Sequence, residues 1–434
     1  MENLEAKGVR TSPVGVAGRT AAAPGFGALD FASLPAGTSE EYIPLTAADG
    51  GGSRGHLYTR GGEKAVLCFM HPRGDLSRHY AMSGLLEAGY ATFGQNSRWL
   101  NNDIATIHET LALDVAAGIK YLREERGFER VILVGNSGGG GLYSFYQAQA
   151  ETAPPGRLSS TPAGDPPNLN DYDLPPADGL ILMAAHVGQG KFLTTTIDPA
   201  VIDENDPLAT DPSLDMYYSE NGFREPPQES RYSAEFLSRY RAAQTARVQR
   251  LDAIAHRIID EQNIYRAMTA EPAFAKEPEE RRREILRRAS LGRLMRIYRT
   301  DANPAYVDLS ISPSPRDLGS LISGRPDMSN FAFGGFAGVL TPRAWLSTWS
   351  GLSSRAGVVE NLPSVTKPLL IIYYEGDNAI FPEDIDAMLA AAGMTDKNLT
   401  KIKGEHYGLS LDRAGKSVRS EANEAMVAWL EARF

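Results

Sequence analysis

The segment RVILVGNSGGGGLYSFYQAQA (130–150) constrains this chain more than any other. It opens with a continuous, largely β-branched apolar run, the pattern of a strand buried on both faces. A strand of that kind needs helices packed on each side of its sheet, which points to an α/β architecture. The run ends at Gly135, one hydroxyl follows at Ser137, and glycines occupy 138–141 before a helical pattern begins. So much backbone freedom beside one serine serves either a strained nucleophile turn or a cradle for an anion. A P-loop requires Lys-Ser/Thr after its glycines, and none follows here. A dinucleotide fingerprint requires an acidic residue at the end of the next strand, but that strand runs into MAAHVGQG (183–190).

The same alternation extends on both sides. EEYIPLT (40–46) and RGHLYTR (54–60) read as paired strands around the turn AADGGGS, and KAVLCFM (64–70) as a buried strand. A helix over 76–88, the strand YATFGQ (90–95) and a helix over 104–124 lead to the glycine segment. LILMAAHVG (180–188), KPLLIIYYEG (367–376) and LTKIKG (399–404) read as further strands, with a closing helix over 417–433. The expected fold class is therefore α/β, a mostly parallel central sheet flanked by helices. TAPPGRLSSTPAGDPPNLNDYDLPPADG (152–179) is too long for an ordinary connection and reads as a surface excursion.

Three units are expected: an N-terminal arm over 1–37, a core over 38–188 and 365–434, and an inserted, largely helical cap over 189–364. In the insertion Phe236, Tyr240, Ala243, Val248, Leu251, Ile254 and Ile258 recur near the helical period. A second helix starts at Pro278 and is expected to turn Ile285, Leu286, Ala289, Leu294 and Ile297 inward.

Gly135-Asn136-Ser137-Gly138-Gly139 fits G-x-S-x-G, the nucleophile elbow, in the required strand-to-helix context. Small neighbours are needed because the serine adopts positive φ, and the helix start behind it offers free N–H groups. With this motif, the alternation and the position of the insertion, the chain resembles the α/β-hydrolase fold family. The resemblance implies a Ser…Asp…His order. Asp377 in YYEGDNAIFP fits the acid, with Glu375 and Asp198 as alternatives. His406 in KIKGEHYGLSL fits the general base. The resemblance also implies an oxyanion hole built from the N–H of Gly138 and one N–H of the loop CFMHPRGDLSRHY (68–80). Pro72 has no N–H, which leaves Arg73, with Gly74 behind it. His71 is expected to brace this loop, with substrate binding or a part in the chemistry as its alternatives, and Arg73 to face solvent or a substrate carboxylate.

The cap is expected to roof Ser137 and to favour small or medium organic substrates. Tyr217, Tyr218, Phe223, Phe331, Phe333, Phe336 and Trp345 are candidate liners, and His186 leads towards the same chamber. His56, His108 and His256 carry structural expectations, as does the single cysteine, Cys68, in its apolar run. The net charge of −10 argues against a nucleic-acid partner, and the arginines of RRREILRRASLGRLMRIYR (281–299) read as a solvated helix face. No run approaches a membrane span and the N-terminus lacks the apolar core of a signal peptide, so a cytoplasmic protein is expected, with the arginine-rich helix as the place a homo-oligomer contact could form. The implied activity is a serine hydrolase of carboxylic esters needing no cofactor or metal. Alternatives on the same triad are hydrolysis of carbon–carbon bonds in ring-fission products, which the GNSGGG elbow also resembles, and thioester, amide or acyl-transfer chemistry. A non-catalytic scaffold binding a small molecule is the alternative of another class.

Overall fold

In a computed structural model, residues 29–31, 33–100, 102–332, 334–412 and 417–434 are described. Most of the expected N-terminal arm (1–28) therefore lies outside the described residues. The core is one eight-stranded sheet: β1 (Ser39–Thr46), β2 (Gly52–Thr59), β3 (Ala65–His71), β4 (Ala91–Asn96), β5 (Arg130–Asn136), β6 (Gly179–Met183), β7 (Leu369–Tyr374) and β8 (Lys397–Ile402). They lie in the order β1-β2-β4-β3-β5-β6-β7-β8. Only β2 runs against its neighbours. The continuous apolar runs occupy its centre, where β3, β5, β6 and β7 are buried almost throughout, Cys68 among them. Helices α1 (Met82–Glu87), α2 (His108–Lys120) and α3 (Gly138–Glu151) follow β3, β4 and β5. The expected helix over 76–88 is thus much shorter than the sequence pattern suggests.

The chain between β6 and β7 adds no strand to this sheet, although those two strands pair directly, Leu180 against Leu369. It forms α4 (Gln189–Thr196), α5 (Ala234–Ala270) and α6 (Glu279–Ser290), with two small two-stranded pieces. Its own apolar cluster joins Leu193, Val248, Leu251, Met295, Leu340 and Trp345. On α6 the inward face is narrower than expected. Ile285 and Ala289 are buried, whereas Leu286 and Leu294 are about half exposed. The helix ends at Ser290, so the helical period stops before Leu294. After β7, α7 (Pro382–Ala391) and α8 (Arg419–Glu431) complete the layers. Among the described residues no helix is long and apolar enough to cross a membrane.

Two close approaches fix the site's frame. A Cβ on Gly139 would lie 2.4 Å from the Met70 carbonyl oxygen, so α3 begins in contact with the end of β3. Gly139→Ala must push strand and helix apart, and overpacking of this kind costs about 1–3 kcal/mol. A lower urea midpoint at unchanged m-value is the expected reading. The second is the seam between core and insertion, where Ser347 Oγ accepts from the His108 N–H (3.0 Å) and donates to Glu109 Oε2 (2.6 Å).

Burial pushes the Glu109 carboxyl up from 4.5 to about 7, against the bond from Ser347. Between those values the folded protein keeps a proton that the unfolded chain has released. Stability therefore falls as pH rises from 4.5 to 7 and is level above that window as far as this group is concerned. Glu109→Gln is expected to flatten that decline and to gain about 3 kcal/mol at pH 8, read from urea unfolding at several pH values.

Candidate active site

Ser137 joins β5 to α3 with φ 53° and ψ −121°, a conformation rare outside glycine. Its N–H donates to the Met183 carbonyl at 3.1 Å, and so does the Asn136 side chain, so the end of β6 holds the turn. Ser137 is partly exposed while its neighbours Asn136 and Gly138 are buried. Gly138 is the first residue of α3, where an N–H has no partner four residues back.

Asp377 and His406 come from the loops after β7 and β8. The parallel pairing of those strands continues past their ends, with the Gly376 N–H donating to the Gly404 carbonyl at 2.9 Å. That bond holds the two loops side by side. His406 Nδ1 lies 2.7 Å from Asp377 Oδ2, and both residues are buried. Asp377 Oδ1 accepts the N–H groups of Ala379 (2.7 Å) and Ile380 (3.3 Å). A carboxylate so placed accepts a hydrogen bond from the imidazole Nδ1–H and leaves Nε2 as an acceptor. Nε2 is buried and makes no hydrogen bond among the described residues. The alternatives do not meet this histidine. Asp198 pairs with Arg299 (2.7 Å) and Asn330 (2.7 Å) inside the insertion, and Glu375 stays at the end of β7.

The loop after β3 departs from its expectation. The Arg73 N–H donates to His71 Nδ1 at 3.2 Å and the Gly74 N–H to the same atom at 2.7 Å. The backbone donor expected to face an oxyanion is turned onto the histidine ring. The Arg73 side chain is not solvated either. It is buried against Asp103 (Nη1–Oδ2 2.7 Å) with its guanidinium 5.6 Å from the Phe336 ring centre and 5.1 Å from that of Trp349.

His186 is buried, accepts the Gly188 N–H at Nδ1 (3.2 Å) and stacks on Phe192, which meets Phe336 edge-on at 5.1 Å. Burial, aided by the charges of His406 and Arg73, lowers its basicity to about 3. His71 is held well below the ordinary histidine value, first by burial and then by Arg73, His186, His108 and His406. Both rings are therefore neutral at physiological pH. A run of contacts thus leads from Gly138 through His71 and Arg73 to Phe336, Phe192 and His186.

The remaining aromatic candidates lie elsewhere. Tyr217 and Phe223 pack on each other, Trp345 is buried and donates to Asp252, Tyr218 and Phe331 are exposed, and Phe333 lies outside the described residues. His79 and His108 are buried in structural contacts, His56 pairs with Glu40, and His256 is exposed. Sequence reasoning missed Trp349, Phe192 and Asp103. They sit far apart in irregular or short elements, and no period or spacing marks them.

No family model matches the chain and no curated protein matches its sequence. Solved structures resemble it at low identity. DcsB in complex with its substrate analogue aligns over 91% of this chain and 99% of its own, with 12% identity and TM-score 0.49. An esterase of Pyrococcus furiosus aligns over 91% of each chain with 11% identity and TM-score 0.41. A lipase in its open form aligns over 91% of this chain and 99% of its own, with 13% identity and TM-score 0.43. The chain's own order, with β2 antiparallel, a positive-φ serine after β5 and acid and histidine loops after β7 and β8, decides the fold. The core is an α/β-hydrolase fold. In this α/β-hydrolase core, Asp377 is the partner of three donors, two backbone N–H groups and one imidazole. Asp377→Ala strands all three in a buried place, an expected loss of about 2–3 kcal/mol in urea unfolding.

Proposed function

We propose that the protein is a serine hydrolase that cleaves a small or medium carboxylic ester through an acyl-Ser137 intermediate. The observation that carries this reading is the buried Asp377–His406 pair, which leaves an unbonded imidazole nitrogen in a core whose serine turn is strained. In the reading, His406 Nε2 takes the proton of Ser137 Oγ as Oγ bonds to the ester carbonyl carbon. The carbonyl oxygen becomes an oxyanion, and the Gly138 N–H donates to it. As the tetrahedral species collapses, His406 gives its proton to the departing alkoxide. Water then repeats the sequence on the acyl-enzyme, with His406 taking the water's proton and returning it to Ser137 Oγ. Asp377 keeps the imidazole in the right tautomer and stabilises the imidazolium that forms twice in each cycle.

The insertion acts as a cap in this reading. It meets the acid loop, where Asn378 Nδ2 donates to the carbonyls of Asp317 (2.9 Å) and Gly319 (2.6 Å). It also supplies Phe192, Phe336 and Trp349 beside the loop after β3. Such a wall suits an apolar acyl group, and water excluded from it strengthens each polar contact at the reacting carbon. The proposed partner is accordingly a small-molecule ester in a water-poor chamber, with all chemistry supplied by side chains and backbone.

A fluorophosphonate probe tests the nucleophile. Wild type is expected to be labelled at Ser137 and to hydrolyse p-nitrophenyl butyrate, and Ser137→Ala to lose labelling with a rate loss of about 10⁶-fold. Labelling that persists in Ser137→Ala, or is absent from folded wild type, refutes the assignment.

A further inference from the structure

We propose that His71 is a catalytic residue whose Nε2–H supplies the second hydrogen bond to the oxyanion formed when Ser137 Oγ adds to a carbonyl. The proposal rests on the reading of Ser137 as nucleophile. A tetrahedral oxyanion needs two well-placed donors, and the Gly138 N–H is one. The loop after β3 offers no free backbone donor at its start. Pro72 has no N–H, and those of Arg73 and Gly74 both end on His71 Nδ1. The same two bonds determine the imidazole's tautomer. A nitrogen that accepts two N–H groups carries no proton, so the ring's hydrogen sits on Nε2.

The position of that hydrogen makes it useful. A Cβ added to Gly138 would lie 2.6 Å from His71 Nε2, against 3.2 Å from Cε1 and 3.3 Å from Cδ2. Nε2 is thus the foremost atom of a ring set directly against the first residue of α3. The side-chain donor therefore lies against the same residue that carries the backbone donor. Among the described residues His71 makes its two hydrogen bonds through Nδ1, which leaves Nε2–H available. Burial and the neighbouring cations keep the ring neutral, so it donates without competing with His406 for the serine proton. In the step itself the Oγ–C bond forms, the carbonyl π pair moves to oxygen, and the Oγ proton goes to His406 Nε2. His71 keeps its own proton throughout. The glycine at 138 then has a second function, since any side chain there would push the imidazole away from the oxyanion.

His71→Asn separates donor from brace. Its Oδ1 replaces Nδ1 as acceptor for Arg73 and Gly74, while nothing replaces Nε2. With p-nitrophenyl butyrate, kcat is expected to fall about 10²–10³-fold while KM and the thermal midpoint stay close to wild type. His71→Gln, which carries an amide donor near the Nε2 position, is expected to recover part of the loss. A folded His71→Asn within threefold of wild-type kcat overturns the proposal. A second measurement avoids variants altogether. In wild type labelled with ¹⁵N-histidine, the His71 Nε2–H resonance is expected to move downfield when butylboronic acid forms its tetrahedral adduct with Ser137. A protonated Nδ1, or an Nε2–H that does not respond to the adduct, refutes the proposal even if His71→Asn fails to fold. Wild type that neither reacts with fluorophosphonate nor hydrolyses the ester refutes the Ser137 reading and this proposal together. Fluorophosphonate labelling beside an undiminished His71→Asn rate removes His71 alone.

Discussion

The geometry of this site depends on how closely the first turn of α3 approaches the end of β3. A β-carbon at position 139 would collide with the Met70 carbonyl, one at 138 with the His71 ring, and one at 135 with the backbone of Gly139 and Gly140. Only hydrogen atoms fit in these gaps, so the glycines bring strand and helix together rather than loosening the chain. The positive φ of Ser137 follows from that closeness, because a serine between a buried strand and a helix folded back against it has no relaxed path. Such strain costs about 1–3 kcal/mol and persists only where the surroundings over-determine it. Here the bonds from Ser137 and Asn136 to the Met183 carbonyl and the buried sheet on both sides do so.

Around that contact, charge is arranged by burial. His406 has a carboxylate partner that is itself saturated by backbone N–H groups, so the pair is fixed in orientation before any ligand arrives. Among the described residues His71 and His186 pair with no carboxylate, and burial holds both neutral. One imidazole is thereby paired with a carboxylate, and the other two sit in neutral, buried surroundings. Arg73 adds a cation to the wall, already paired with Asp103 and flanked by two rings. Its contribution is local field and shape rather than a free positive charge.

The sheet was legible because its signal is local and redundant. Continuous apolar runs between helical patterns mark β3, β5, β6 and β7 without any knowledge of their neighbours, and a serine among glycines after β5 identifies its own turn. The insertion was harder. On α6 the helical period was carried past Ser290, so Leu286 and Leu294, about half exposed, were assigned inward. Most aromatic residues near Ser137 in expectation pack elsewhere, because an aromatic's place depends on which distant surface it meets. Trp349 reaches Arg73 of the loop after β3, and Phe192 the Phe336 ring beside it, from segments with no pattern to announce them. Arg73 departs from its expectation for the same reason, since a backbone N–H and a guanidinium are directed by partners that sequence spacing does not display.

The sequence by itself determined the layers, the order of the strands' apolar runs and the turn that carries Ser137. Each follows from hydrophobic period, glycine sterics and the reach of a few consecutive residues. The sequence put Asp377 ahead of Glu375 and Asp198 as the partner of His406, but tertiary structure supplied the contact, because Asp377 lies on a loop tied to the histidine's own. Tertiary structure also decided that the donors after β3 turn onto His71 and leave that ring's Nε2–H against Gly138. Those choices are made by hydrogen bonds and close contacts between segments far apart in the chain, whose geometry exists only once the sheet has brought them side by side.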